Sequence, residues 1–282
     1  MLGSKLCEAL ADEYEAFGLD LLKPQLSTLN PQHFIQCDIT DKDKVAASIN
    51  KVKPDLIIHA AAYTDVDGCE LNPEKAFAVN AKGTENIAQA AKESDAALFY
   101  ISTDYVFDGK KDKPYTEADA PNPINIYGKS KLEGEKAVRS LLDKYFILRT
   151  SWLFGPGGKN FVTTILNKAG ESRELRVVDD QIGSPTYTLD LADAVKNLLS
   201  MLAANLYGIY HITNGGGCSW CEFAKKIVLL SNLKTQILPI TSEESNRPAP
   251  RPKMSLLDNS KLIVTFKLRL RPWQEALRDF MV

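Results

Sequence analysis

Short apolar runs alternate with longer amphipathic stretches along this chain, and the alternation predicts strands that alternate with helices. The runs at residues 56–58 and 98–101, and the run within 145–153, are continuous, which is typical of parallel strands covered on both faces. Residues 41–51 and 74–94 instead repeat their apolar positions at helical spacing. Strands that alternate with helices in this way indicate an α/β fold built on a parallel sheet.

The order of these elements predicts a doubly wound, mostly parallel sheet flanked by helices, with a smaller mixed α/β domain from the second half. We place the first domain at residues 1–153 and the second mainly at 154–282, since residues 155–158 read Gly-Pro-Gly-Gly and suit a connector. A segment near residues 205–215 reads as a strand that returns to the large sheet.

The segment from Leu98 to Lys131 carries the most informative polar residues. Ser102, Thr103 and Asp104 follow the apolar run directly, at the carboxyl end of a strand, where open α/β sheets bind their ligands. Tyr127 and Lys131 come later, and their spacing of four places both on one face of a helix. A hydroxyl, a phenol and an ammonium are therefore expected to meet in one crevice.

This combination suits proton transfer to or from a carbonyl or carbinol oxygen. A free tyrosine has a pKa of about 10 and is a poor acid or base at neutral pH. A lysine ammonium close by favours the phenolate and lowers that pKa. A serine or threonine hydroxyl can then hydrogen-bond the substrate oxygen and orient it for reaction.

Three motifs carry a resemblance to a known family. The segments STDYVFDG, YGKSKLEGE and RTSWLFG occur in this order. Together they resemble the extended short-chain dehydrogenase/reductase superfamily and, within it, the dTDP-4-dehydrorhamnose reductases. The resemblance implies a Rossmann-like fold, with a dinucleotide-binding domain followed by a substrate-binding domain. It also implies NADPH or NADH as cofactor, and reduction of the 4-keto group of dTDP-4-dehydro-L-rhamnose to dTDP-L-rhamnose.

The same resemblance assigns roles to residues of the crevice. Thr103 matches the catalytic hydroxyl, Tyr127 the proton donor, and Lys131 the residue that lowers the pKa of the phenol and holds the nicotinamide ribose. Ser102, Thr103 and Asp104 are expected to bind the substrate. Tyr127, like Lys131, is also expected to contact the cofactor. Trp152 would contact the sugar nucleotide, although a purely structural role in the core is an equal alternative.

A proline-rich stretch over residues 247–255 adds a candidate phosphate site. Three prolines exclude regular structure there, and its basic side chains suit a phosphate-rich substrate. Arginine binds phosphate oxygens with a forked pair of donors. The resemblance points to Arg251, because R-P-x-x-S recurs at this place in the family. A solvated proline loop is the alternative.

Cofactor contacts are expected from several strand ends. Asp20, near the end of a strand predicted over residues 14–22, can accept from a ribose hydroxyl, which favours NAD over NADP. A surface role for Asp20 is equally open. The resemblance places Asp38 and Ile39 against adenine, and the loop after residue 59 beside the cofactor. The loop residues concerned are Ala60, Ala61, Ala62, Tyr63 and Thr64, whose alanines would let a flat cofactor approach.

The start of the chain departs from the family pattern. Gly3 matches the last glycine of the glycine-rich turn that cradles a pyrophosphate at a helix N-terminus, and the first strand and earlier glycines are absent. We therefore expect that the sequence starts at an internal methionine of a longer natural chain. A real truncation that has lost cofactor binding is the alternative.

Composition narrows the function classes. The net charge of −2 gives no general attraction to nucleic acid or to an anionic membrane. The five cysteines are scattered and predict reduced thiols in a cytoplasmic protein. No metal site is expected, and Asp65 and Asp67 are interpreted as solvated loop carboxylates. A nucleotide sugar is the expected partner, and a homodimer is considered.

Two other functions compete with the reductase. An epimerase or another nucleotide-sugar reductase would use the same tyrosine and lysine; a dehydratase usually carries an Asp-Glu pair after the threonine, where this chain has Asp104 and Tyr105. A non-catalytic regulatory subunit on the same fold is favoured by the incomplete glycine turn. The intact Thr103, Tyr127 and Lys131 argue against it.

Overall fold

The central sheet has four parallel strands in the order β10-β5-β4-β3. The computed structural model describes residues 1–22, 33–201 and 206–282. The strands are β3 (Leu56–His59), β4 (Ala97–Thr103), β5 (Tyr145–Thr150) and β10 (Gly208–His211). Every residue of β4 is buried, as its continuous apolar run predicts. The predicted α/β, mostly parallel, Rossmann-like fold is confirmed.

Two further strands form a separate parallel pair. These are β1 (Gly18–Asp20) and β2 (Phe34–Gln36), and β1 is shorter than the strand predicted over residues 14–22. In the ranges that the structure describes, no strand lies between β1 and β3. A cleft opens there instead, with Leu19 on one side and Ile57 on the other. The edge of β3 that faces away from β4 therefore lines the cleft.

Helices cover both faces of the sheet. In the first half these are α1 (Leu2–Leu10), α2 (Lys42–Val52), α3 (Val66–Leu71), α4 (Pro73–Phe77), α5 (Thr84–Glu93) and α6 (Ile126–Leu141). Residues 74–94, predicted as one helix, are broken by a π-helical turn at Ala78–Gly83. Helix α1 buries Leu2, Leu6 and Leu10 in one core cluster together with side chains of β4 and β5. None of the helices in the described ranges is long and apolar enough to cross a membrane.

The second half adds small paired strands and more helices. The strands pair as β6 (Leu153–Phe154) with β9 (Thr186–Tyr187), β7 (Glu174–Val178) with β12 (Gln236–Ile240), and β8 (Ile182–Gly183) with β11 (Cys218–Ser219). The helices are α7 (Phe161–Glu171), α8 (Thr188–Ser200), α9 (Trp220–Leu230), α10 (Ser242–Ser245), α11 (Ser260–Phe266) and α12 (Trp273–Met281). A separate apolar cluster centred on Phe154 and Phe223 packs this half.

Strand β10 links the second half to the central sheet, because Gly208–His211 pairs in parallel with residues 146–149 of β5. Residue 205, the first of the segment expected to return to the sheet, lies outside the described residues. The division at residues 153 and 154 stays a prediction.

Candidate active site

A large open cleft of about 1950 Å³ runs along the carboxyl ends of the central strands. It begins beside α1, passes between β1 and β3, and ends at the side chains of the second half. All of the site residues expected from the sequence line it except Tyr63, namely Gly3, Asp20, Asp38, Ile39, Ala60, Ala61, Ala62, Thr64, Ser102, Thr103, Asp104, Tyr127, Lys131, Trp152 and Arg251. The topology thus brings together residues that are far apart in sequence.

The end of β4 presents a hydroxyl and a carboxyl to the cleft. Thr103 caps the short 3₁₀ turn at Asp104–Val106: its Oγ1 accepts from the backbone N–H of Tyr105 at 3.2 Å and donates to Asp104 Oδ1 at 3.1 Å. Asp104 is 3% exposed, and its Oδ2 has no hydrogen-bond partner. Burial raises the pKa of this carboxyl to about 7. Asp104 therefore holds a proton at or below neutral pH.

This shift predicts a pH-dependent stability. An ordinary aspartate has a pKa of about 3.9, so between about pH 4 and 7 the folded chain holds a proton on Asp104 that the unfolded chain has lost. Stability should fall as pH rises through that window and level off above it. Asp104→Asn keeps the shape of the side chain but cannot ionise. The free energy of unfolding of this variant, measured in urea, should therefore rise relative to that of the wild type between pH 5 and pH 8.

Asp119→Asn is the matched control for this experiment. The Lys111 ammonium lowers the pKa of Asp119 to about 2, so the stabilisation from this carboxylate is lost only in acid. The difference between this variant and the wild type should therefore not change from pH 5 to pH 8. If the difference in stability between Asp104→Asn and the wild type is also the same at pH 5 and pH 8, the raised pKa of Asp104 is contradicted.

Helix α6 carries the phenol. Asn125 caps the helix, accepting from the backbone N–H of Gly128 at 2.8 Å and donating to the Pro250 carbonyl at 2.8 Å. Gly128 allows close packing, since a Cβ there would lie 2.0 Å from the Tyr105 carbonyl oxygen. Tyr127 follows the cap closely and lines the cleft. The first turn of α6 is thereby fixed against the end of β4.

Tyr127 is a weaker acid than the sequence led us to expect. Burial raises the pKa of its phenol, and the Thr103 hydroxyl is the main influence that lowers it. Lys131, expected to lower this pKa, instead donates from Nζ to the Ile101 carbonyl at 2.7 Å. The reason is that the backbone carbonyl of Ile101, within β4, lies within hydrogen-bond distance of the ammonium. The phenol therefore stays protonated at neutral pH, as a proton donor requires.

Lys131 is itself almost fully buried, at 2% exposure. Burial lowers the pKa of its ammonium to about 7, while the nearby Glu135 carboxylate raises it. The charge of this lysine thus depends on its surroundings near neutral pH. Small changes in those surroundings will change the fraction that is charged.

A buried ion pair joins α6 to β5. Arg149 of β5 donates from Nε and Nη2 to Glu135 of α6 at 2.9 and 2.6 Å, and both residues are 1% exposed. Ser102 donates its hydroxyl to Glu135 Oε1 at 2.6 Å. Ser102 was expected to bind substrate, but its hydroxyl is already used to tie β4 to α6.

The loop after β3 is held by a side chain from the π-helical turn. Asn80 is fully buried; its Oδ1 accepts from the Tyr63 backbone N–H at 2.8 Å, and its Nδ2 donates to the Tyr63 carbonyl at 3.0 Å. It also donates to Ser130 Oγ at 3.0 Å, on the helix that bears Tyr127. π-Helical turns are frequent at functional sites. Asn80 therefore joins the loop after β3 to α6, and it holds that loop through the backbone of Tyr63.

An aromatic pair forms the far wall of the cleft. Trp152 has a φ of 46°, an uncommon conformation for a side chain of this size, and stacks on Trp220 with ring centroids 3.4 Å apart. Gly183 leaves room for it, because a Cβ there would lie 2.4 Å from the indole. Trp220 follows a capping serine at the start of α9, and nothing in its local sequence indicated a role in the cleft.

A salt bridge crosses from the first half to the proline-rich loop. Asp67, expected to be a solvated carboxylate, accepts from Arg251 at 3.0 Å and from Arg247 at 3.1 Å, and its side chain is 18% exposed. It also accepts from the backbone N–H of Ala249. The solvated interpretation is therefore wrong, because the loop folds over α3 and brings its guanidinium groups to the carboxylate. Asp67 fixes Arg251 at the rim of the cleft.

The other end of the cleft has small or acidic side chains. Gly3 lies in the first turn of α1, where an added Cβ would meet no other atom within 4 Å, and Ala61 is exposed. Asp20 ends β1 and is exposed, whereas Asp38 accepts from Thr40 in a turn. Ile39 is buried after β2 and packs near Gly83. This end offers open space and two carboxylate groups.

A family model and several known proteins match this chain over most of its length. The family model described as the RmlD substrate binding domain matches residues 1–282. The chain is 46% identical to the spore coat polysaccharide biosynthesis protein SpsK of Bacillus subtilis, over 86% of this chain and 84% of that protein. It is 41% identical to a dTDP-4-dehydrorhamnose reductase of Sinorhizobium fredii, over 90% of this chain and 88% of that protein.

A solved structure is similar as well. The crystal structure of dTDP-4-dehydrorhamnose reductase from Bacillus anthracis, in complex with NADP, superposes with a TM-score of 0.84. It is 44% identical and covers 89% of this chain and 91% of its own. The fold is therefore shared over most of the length.

Proposed function

Since this chain belongs to the RmlD substrate binding domain family, we propose that it reduces dTDP-4-dehydro-L-rhamnose to dTDP-L-rhamnose. It is an NAD(P)H-dependent oxidoreductase that acts on a nucleotide-linked 4-keto sugar. One observation carries the proposal: Thr103, Tyr127 and Lys131 line one cleft, although a strand end and a helix far along the chain supply them.

Each of the three residues has a distinct task. The reduced nicotinamide, when bound, supplies the hydride that adds to the C4 keto carbon. Tyr127 gives its phenolic proton to the keto oxygen, so that hydride and proton together produce the hydroxyl group. Thr103 hydrogen-bonds the keto oxygen and orients it. Lys131, as an ammonium, favours the phenolate that remains and holds the nicotinamide ribose.

The residues at the other end of the cleft fit a dinucleotide. Gly3 leaves the N-terminus of α1 open for phosphate oxygens, and the alanines 60–62 let a flat ring approach the backbone. Asp20 would accept a hydrogen bond from a ribose hydroxyl, and Asp38 with Ile39 would contact the adenine. Thr64 would border the nicotinamide half, whereas Tyr63 does not line the cleft and would only hold the loop in place through its backbone bonds to Asn80. The Asp20 carboxylate would repel a 2′-phosphate, which favours NADH, whereas the solved relative from Bacillus anthracis is a complex with NADP.

The substrate contacts lie on the opposite wall. We propose that Arg251 binds the diphosphate with the donors that Asp67 leaves free. Trp152 would pack against the sugar nucleotide, supported by Trp220. Asp104 would donate its retained proton to a sugar hydroxyl, and Ser102 would act only through its backbone. Of these residues, all but Asp67 line the cleft.

The direct test is an assay of the purified chain with dTDP-4-dehydro-L-rhamnose and either NADPH or NADH. We expect loss of reduced-nicotinamide absorbance in step with formation of dTDP-L-rhamnose, identified by mass and by sugar analysis. Cofactor titration by nicotinamide fluorescence should be run beside it. Cofactor binding without reduction would support a regulatory subunit, and interconversion of sugars without net oxidation would support an epimerase.

We also propose a cytoplasmic location and a homodimeric assembly. Five cysteines of the chain are free thiols, as expected in a reducing compartment. The homodimer rests on the family resemblance, and light scattering of the purified protein tests it. Neither a nucleic-acid partner nor a membrane partner is proposed, given the net charge of −2.

A further inference from the structure

The ammonium of Lys131 lies over an aromatic ring. Its Nζ is 4.1 Å from the centroid of the Tyr100 ring and donates one hydrogen bond, to the Ile101 carbonyl at 2.7 Å. A cation within about 6 Å of a ring face is attracted by the electron density of that face. Because Lys131 is 2% exposed, water screens this attraction little.

No carboxylate pairs with this ammonium in the part of the chain that the structure describes. Glu135 lies one turn further along α6, but its oxygens accept from Arg149 and Ser102. A carboxylate in contact with Lys131 would neutralise its field and restrict the group. A carbonyl and a ring face stabilise the charge and leave donors of the ammonium free to act in the cleft.

Tyr100 is held firmly in this place. Its side chain is fully buried, its hydroxyl donates to the Lys131 carbonyl at 3.3 Å, and its ring stacks on His59 with centroids 5.4 Å apart. Thr84 donates its single hydroxyl proton to the Asn80 carbonyl, so it must accept from His59 Nε2. Burial lowers the pKa of His59 to about 3. The group beside Tyr100 is therefore neutral.

We propose that Tyr100 is a positioning residue for the proposed reaction: the face of its ring stabilises Lys131 as an ammonium without neutralising it. This inference rests on the proposed function only for its catalytic consequence, because the contact between ring and ammonium exists in the folded chain itself. It predicts that the electron density of the ring, rather than its hydroxyl, adds to the effect of Glu135 in keeping Lys131 charged against the effect of burial.

A series of nearly isosteric rings at position 100 tests this directly. Tyr100→Phe removes the hydroxyl and keeps the ring face, and mono-, di- and trifluorophenylalanine at the same position withdraw electron density stepwise. The ligand-free proteins are labelled with lysine carrying ¹³C at Cε and titrated by NMR. Lys131 is identified as the resonance that titrates at about pH 7 and is missing in Lys131→Met.

We expect the pKa of Lys131 to be the same in Tyr100→Phe as in the wild type. It should fall with each added fluorine, by about one unit in total. The other charged or titratable groups around the ammonium, Glu135, Arg149, His59, Tyr127 and Asp104, are unchanged in the series. An unchanged pKa across the fluorinated rings, in proteins with native circular dichroism, would overturn the inference.

The pH dependence of turnover then tests the catalytic consequence. If Lys131 acts as an ammonium, kcat falls at alkaline pH where the proton is lost, and this limb should move to lower pH along the fluorinated series. If the NMR titration of Lys131 shifts but the alkaline limb of kcat does not, the contact between ring and ammonium is supported. Its role in the reaction is then overturned. Full activity of Lys131→Met would overturn the proposed role of Lys131 and leave the NMR result to decide the contact.

Discussion

Tyr127→Phe is expected to lower kcat for the 4-keto sugar by roughly 100-fold or more, the usual contribution of a positioned general acid. The phenylalanine ring keeps the edge contact with Tyr105, whose ring centroid lies 5.8 Å away, so the wall of the cleft is preserved. Only the proton donor is removed. The measurement is steady-state turnover with saturating cofactor, together with the cofactor dissociation constant by fluorescence, which should change far less than kcat.

Tyr145→Phe is a suitable control. Tyr145 begins β5, does not line the cleft, and packs against the apolar cluster that contains Leu98 and Ile147. Removal of its hydroxyl should leave both kcat and cofactor affinity at wild-type values. Wild-type turnover in Tyr127→Phe would contradict the assignment of the phenol as the acid and would move attention to Asp104, which also retains a proton near neutral pH.

The largest effect on stability is expected at Glu135. Glu135→Ala leaves the Arg149 guanidinium buried without its carboxylate partner and should reduce the free energy of unfolding by about 3–5 kcal/mol. Ser102 loses its acceptor in the same variant. Urea unfolding followed by circular dichroism measures the change. The double variant Glu135→Leu with Arg149→Met should recover most of the loss, because no charge remains buried.

The same helix supplies the control. Glu133 pairs with Lys136 at 2.7 Å, but the two side chains are 46% and 59% exposed. Glu133→Ala should therefore cost at most about 1 kcal/mol. Equal losses for Glu133→Ala and Glu135→Ala would mean that the buried pair contributes no more than an exposed one.

The central strands could be predicted from sequence because burial on both faces leaves a continuous apolar run. Strand β4 lies where the run at residues 98–101 indicated, although it extends to Thr103. The strand predicted over residues 14–22 is only Gly18–Asp20, because the apolar side chains on either side of it, Tyr14, Phe17, Leu21 and Leu22, are exposed and find no core. The π-helical turn was not predictable, because it depends on where Asn80 finds its partners.

The site residues also fall into two groups: those indicated by local sequence features and those that depend on packing. The spacing of Tyr127 and Lys131 and the polar end of β4 are local features, so the sequence located them. Tyr100 read as one more apolar strand residue, and its contact with Lys131 depends on how α6 lies on the sheet. Likewise, Trp220 reaches the cleft and Asp67 reaches Arg251 only through packing between distant segments. Glu135 was visible one turn after Lys131, but its partner Arg149 lies on another element.

The opening between β1 and β3 gives the cofactor a second task. The proposed adenosine contacts belong to the pair β1–β2, and the proposed nicotinamide contacts belong to the four-stranded sheet. A dinucleotide that spans the cleft would act as a brace between two sheets that share no backbone hydrogen bonds in the described ranges. By thermodynamic linkage, the melting temperature should rise with cofactor concentration. Because residues of both sheets also share one apolar cluster, the cofactor would add a second link to a contact that packing already makes.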